Sequence, residues 1–121
     1  MNRLGEAAAC DKEYLNEEAL RQYENCLIEI RRTDRVREQV DDDSGDEVVL
    51  NNKITKALHK AVRYRVYNMA VSSIGMRENM TNAYLESIDK ISNSRNGKAY
   101  TELNGGYRVR RETNKLVFYR V

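Results

Sequence analysis

The sequence predicts an α+β protein that is mostly α: a long N-terminal helix and a helical bundle, followed by a small antiparallel β-meander. Three observations predict it. The 121 residues contain no proline, so nothing interrupts long helices by removing a backbone donor. Apolar residues recur at steps of three to five over most of the first 92 positions, the stripe of amphipathic helices. After Gly97 the period changes to two on both sides of Asn104-Gly105-Gly106, which is hairpin chemistry. A chain of this length supports one core, with or without an arm.

The first helix runs from Glu6 to about Arg32, with Ala9/Cys10, Tyr14, Leu15, Ala19, Tyr23, Cys26/Leu27 and Ile30 as its stripe. With no glycine after Gly5, the pattern extends to Val40, so residues 1–40 form a helical arm or connector. Residues 41–50 open with Asp41-Asp42-Asp43-Ser44-Gly45-Asp46-Glu47 and read as an acidic linker. The run lacks the Asp-x-Asp-x-Asp-Gly order and terminal Glu of a calcium loop, so no metal is assigned to it.

Residues 51–96 form a helical, substrate-binding-like region. Asn51 or Asn52 caps a helix with Ile54, Ala57/Leu58, Ala61/Val62, Val66, Met69/Ala70 and Ile74 inward, and Gly75 ends it. Its other faces carry Lys53, Lys56, Lys60, Arg63 and Arg65. A further helix spans about Glu78 to Ser92, with Met80, Tyr84, Leu85, Ile88 and Ile91 inward, before the polar loop Ser92–Gly97. Residues 97–121 then supply strands at 98–103, 107–112 and 116–121, with Thr113-Asn114 as the second turn.

Charge is segregated. Residues 1–47 hold seven basic and fourteen acidic side chains, a net of −7; residues 48–121 hold fourteen basic and five acidic ones, a net of +9. Clustered Lys and Arg release counterions from a polyanion, so the C-terminal part is the candidate for nucleic acid. On the hairpin, alternation places Arg108 and Arg110 on one face and Tyr107, Val109 and Arg111 on the other. Arginines bind phosphate bidentately, and Tyr107 or Tyr119 could stack on an unpaired base. The same alternation is equally compatible with tyrosines packed in a core and arginines in solvent.

Enzyme chemistry has little support. His59 is the single histidine, and on a Lys-rich helix it is more often a boundary residue than a general base. Cys10 and Cys26 have neither zinc spacing nor a disulfide partner pattern. No Walker loop and no Gly-x-Gly-x-x-Gly is present, and no stretch reaches the ~20 apolar residues of a membrane span. A cytoplasmic location is expected.

The segment Gly97-Lys98 through Leu103, Gly106, Arg108-Val109, Arg111-Glu112 and Leu116 resembles the Gly-Lys-x-x-x-Leu-Pro-x-Gly-x-Arg-Val-x-Arg-Glu-Tyr-x-x-Leu wording that follows the helical middle region of bacterial tRNA(Ile)-lysidine synthases. Arg3-Leu4 followed by Asp11-Lys12-Glu13-Tyr14-Leu15-Asn16-Glu17-Glu18-Ala19 is similar to the Glu-Asp-x-x-Tyr-Leu-Glu-x-x-Ala opening of that family's long helix. Leu58 to Val66 is similar to its Leu-x-x-Arg-x-Leu-x-Arg helix. Asn104 stands where the family usually has Pro, and Thr113 where it often has Tyr.

The resemblance implies a middle region excised from a ligase that attaches lysine to the wobble cytidine of tRNA(Ile) with the CAU anticodon. ATP and magnesium would then serve a separate domain carrying a Ser-Gly-Gly-x-Asp-Ser loop, which this sequence does not contain; no cofactor or catalytic residue is assigned here, and this fragment alone is not expected to be active. The implied partner is tRNA, with Lys56, Lys60, Arg63, Arg108, Arg110 and Arg111 as RNA-binding candidates. The alternative is a structural, dimerisation or protein-interaction module with no RNA contact, in which the apolar stripe of the N-terminal helix forms a homodimer.

Overall fold

A computed structural model describes residues 4–31, 46–76 and 80–120. Helix α1 (Leu4–Cys26) does not continue along the arm predicted for it: at Leu27 the chain becomes strand β1 (Leu27–Arg31). The physical reason is visible in Ile28 and Ile30, β-branched residues at a spacing of two between Glu29 and Arg31, which favour an extended, half-exposed surface over a helix. The predicted helix beyond Arg31 and the acidic run 41–45 lie outside the described residues. The end of the expected linker is not a linker, because Glu47–Asn51 is strand β2.

The remaining elements are α2 (Asn52–Lys56), α3 (Lys60–Ser72), α4 (Asn82–Ser92), β3 (Tyr100–Glu102), β4 (Tyr107–Glu112) and β5 (Lys115–Arg120). The strands build one antiparallel sheet in the order β1-β2-β5-β4-β3. This overturns the reading of a mostly helical bundle with a small meander attached. The meander exists as β3-β4-β5, but β2 adds to β5 in unbroken register from Glu47↔Tyr119 to Asn51↔Lys115. β1 then adds to β2 with an irregularity between Leu27 and Glu29. The sheet is thus a main layer of the molecule.

Helices cover one face of it. Val48, Leu50, Val109, Leu116 and Phe118 share a core with Ala19, Tyr23 and Cys26 of α1, Val66, Tyr67, Ala70 and Val71 of α3, and Leu85, Ile88 and Ile91 of α4. Tyr67 and Phe118 are fully buried, with ring centroids 6.2 Å apart. Alternation along the strands sends Val49 and Val117 to the opposite face, where they are also fully buried.

Caps set the helix boundaries. The Asn51 side chain accepts from the Ile54 amide at 3.0 Å, and Thr81 caps α4 by accepting from Tyr84. The single helix expected over 54–74 is broken at Ala57–His59, where the His59 Nδ1 accepts from the Ala61 amide at 3.1 Å and restarts the chain as α3. Beyond Ser73, Gly75 takes φ 114° and ends the run.

Thr113 in the β4–β5 turn has φ 56°, a left-handed conformation that its branched Cβ disfavours. Thr113→Gly is therefore expected to raise stability by about 0.5–1 kcal/mol in urea unfolding. A decrease would mean that the threonine side chain contributes more than its backbone costs.

Candidate nucleic-acid interface

The hairpin arginines were the sharpest candidates in the sequence, and the sheet pairs most of them internally. On the face away from the helices, the Arg110 Nε donates to Glu112 at 2.6 Å, and both of its terminal nitrogens reach Glu47 at 3.3 Å. Glu47 also accepts from Arg31 at 2.9 Å, and Arg31 from its Nε bonds Glu29 at 2.8 Å. Arg110 lies over the Tyr119 ring at 4.8 Å. Burial works against charge on Arg110, but the bond to Glu112 and the field of Glu47 more than compensate and hold its pKa above the usual value. Arg108 is tied less firmly, with 3.2 Å to the exposed Glu102. Three arginines face four carboxylates on this surface, so it offers a polyanion little net attraction.

Arg111 turns to the other side, as the alternation requires. Its Nη1 donates to the carbonyls of Ile91, Ser92 and Ser94 at 3.2, 3.0 and 2.6 Å, and its Nε to the carbonyl of Thr113. It thereby satisfies the free end of α4. Tyr107 is buried in the core, with Arg120 over its ring at 5.4 Å, so its face is not open to a base.

Arg63 is equally committed. Its Nε and one terminal nitrogen bond both oxygens of Asp89 at 2.9 and 2.8 Å, and the other terminal nitrogen donates to the carbonyl of Leu58. The Tyr67 hydroxyl donates to the same carboxylate at 2.7 Å. Burial, and then the bond to Asp89, push the Tyr67 phenol far above its ordinary pKa. Beside this group Asn52 and Ser92, both buried, bond each other, the Ser92 hydroxyl donating to Oδ1 at 2.6 Å and the Asn52 amide donating to the Ser92 carbonyl at 3.0 Å. These polar groups lock α2, α3 and α4 together.

The uncommitted cations lie elsewhere. Three segments meet at one end of the sheet: the Asn52 amide donates to the carbonyl of Asn114 at 2.7 Å, and the Thr113 amide to that of Gly97 at 3.2 Å. The Lys53 amide donates to the Asn114 side chain at 3.1 Å. This junction brings Lys53, Arg95, Lys98 and Lys115 to one end of the molecule, none in a salt bridge with a described residue. Lys53, Arg95 and Lys98 are exposed and Lys115 is half-buried. Lys56, likewise exposed, continues the series along α2, and Lys60, with its ammonium 5.3 Å from the Tyr64 centroid, opens α3. Of the six sequence-predicted cations, Lys56 and Lys60 thus belong to the open basic surface, Arg63, Arg110 and Arg111 to internal bonds, and Arg108 to the looser pair with Glu102. Arg95, Lys98 and Lys115 went unnoticed because they sit on a loop, a short connection and a strand start, which only the fold brings together.

His59 serves as a helix cap, not as part of a catalytic set. Cys26 is buried, and burial raises its thiol pKa, which makes it a poor nucleophile. Among the described residues no cluster of His, Cys, Asp and Glu could hold a metal ion, and no helix is long and apolar enough to cross a membrane. No protein-family model and no curated protein matches the chain.

Proposed function

We propose that this chain is an RNA-binding module that holds and positions tRNA, as the middle region of a tRNA(Ile)-lysidine synthase would. The observation that carries the RNA reading is the basic end of the sheet, where Lys53, Arg95, Lys98 and Lys115 converge, none in a salt bridge with a described residue, and Lys56 and Lys60 extend the charge. Bare cations on a rigid junction exchange their counterions for phosphates without first breaking an ion pair. The motif wording from Gly97 to Leu116 supplies the particular RNA. Lysine transfer, with ATP and magnesium, belongs in that family to a domain whose phosphate loop has no counterpart in this sequence. The proposed location is the cytoplasm, where tRNA is modified.

A second reading is favoured by one observation. Tyr14, 61 % exposed, and Leu20, 52 % exposed, leave apolar surface on α1 uncovered. In that reading α1 pairs with a second copy and RNA is not bound.

One set of titrations separates the two. The chain is mixed with a CAU-anticodon isoleucine tRNA, an unrelated tRNA and an RNA duplex at several salt concentrations, and light scattering follows its own association. Binding that weakens linearly with log salt, strongest for the isoleucine tRNA, is the expected result. Absence of binding at low salt, with self-association abolished by Leu20→Glu, would replace it with the second reading.

A further inference from the structure

Between α1, α3 and the start of α4 lies a groove of about 810 Å³ that the hairpin-centred reading leaves unused. Its size is that of a small-molecule site. Leu85, buried, forms part of its floor and Tyr64 a wall. Three amide side chains converge on it from three helices. Asn68 accepts from the Met80 amide through Oδ1, and its two N–H donors bond no other described residue. Asn16 accepts from the Arg65 Nε at 3.0 Å and likewise keeps its NH2 group. The Asn82 side chain makes no hydrogen bond with any described residue. Lys60 and Arg65 stand along the same groove, opposed by Glu86 alone among the lining carboxylates.

From this arrangement we infer that the groove receives one unpaired nucleotide of a bound RNA; the inference rests on the RNA-binding reading above. Asn82 can meet the donor and acceptor edge of a base bidentately, and Asn16 and Asn68 add N–H donors toward its acceptors. Tyr64 supplies the stacking surface and Lys60 a seat for the adjoining phosphate, whereas the Arg65 Nε and one terminal nitrogen are held by Asn16 and the Ala61 carbonyl. Two cations lie over the Tyr64 ring: Lys60, exposed, can swing its ammonium to that phosphate and open the ring toward the groove, while Arg63, 5.7 Å from the centroid, stays bound to Asp89. Position supports the assignment as well. Lys53 and Lys56 lie on α2 and Lys60 opens α3, the next helix, so a strand leaving the basic end of the sheet meets further exposed charge beside the groove. A fully base-paired RNA has no free base to place there.

The test compares, by fluorescence anisotropy with the whole chain, two RNA hairpins each closed by the same polyether linker in place of loop nucleotides, one blunt and one carrying three unpaired 3′ adenosines. The overhang is expected to bind about tenfold tighter, the gain that one stacked base provides. Asn82→Asp and Tyr64→Leu should each abolish the gain and leave the blunt hairpin's affinity nearly unchanged. Asn82 is exposed at the first position of α4, where a carboxylate is favoured, so that variant keeps its fold even if Tyr64→Leu does not. Equal binding of the two hairpins, or a gain untouched by Asn82→Asp, removes the groove from the pathway while the RNA-binding reading stands. Failure of both hairpins to bind at low salt overturns that reading together with the inference.

Discussion

Asp89→Ala is expected to destabilise the protein by about 2–3 kcal/mol, enough to lower the melting temperature by roughly 10 °C for a chain of this size. One carboxylate accepts from both the Arg63 Nε and a terminal nitrogen, and from the Tyr67 hydroxyl. Removing it leaves a guanidinium with a side chain only 16 % exposed and a hydroxyl on a fully buried tyrosine without their acceptor. Breaking one side of a fully buried ion pair costs ~3–5 kcal/mol, and the residual exposure of this pair to water lowers that figure. Asp89→Asn retains an oxygen for Tyr67 but loses the charge, and should fall between the two. Arg63→Met with Asp89→Leu removes the stranded charge and should recover part of the loss. If thermal unfolding places Asp89→Ala within 0.5 kcal/mol of the parent, the polar lock between α3 and α4 is not what holds them. The experiment also separates Arg63 from the RNA surface, since a purely structural arginine shifts stability and leaves the salt dependence of binding unaltered.

The C-terminal meander was legible because its information is local. Asn104-Gly105-Gly106 allows the turn, Gly105 and Gly106 take φ 74° and 85°, and the strands that flank it are neighbours in sequence. The period of the stripe in Val62, Val66 and Ala70, and in Leu85, Ile88 and Ile91, was equally plain, since each helix carries its own pattern. β2 was missed for the opposite reason. Val48-Val49-Leu50 is too short a run to distinguish a strand from the end of a linker, and its partner Phe118 lies 70 residues further on. β1 was concealed by continuity, because Leu27 and Ile30 fall in step with the α1 stripe even though the Ile28/Ile30 pair favours extension. The site was harder to read than the fold. Spacing shows that Arg110 and Arg111 point to opposite faces, but not that Glu47 waits on one and the carbonyls of α4 on the other. A basic residue in a sequence is a candidate for phosphate until its internal partners are known.

That distinction predicts two different responses to losing charge. Replacing Lys53, Lys98 and Lys115 together with Gln should lower RNA affinity between about 100- and 500-fold at 0.1 M salt. The range follows from three lost phosphate contacts, each contributing about 0.7 to 0.9 to the slope of log K against log salt. The slope itself should flatten by about two to three, uniformly across RNA sequences, because phosphate contacts position an RNA without reading its bases. None of the three lysines makes a salt bridge with a described residue, so folding should be little affected. Arg110→Met should do the reverse. It opens the contacts to Glu47 and Glu112 and thus lowers stability, yet it leaves the slope where it was. Measured side by side, a flattened slope for the lysine variant and an unchanged one for Arg110→Met assign phosphate binding to the end of the sheet. The opposite pattern would return it to the hairpin face, and would require the Glu47 and Glu112 ion pairs to open when RNA arrives. That opening has a cost which binding must offset, whereas Lys53, Lys98 and Lys115 make no salt bridge with a described residue.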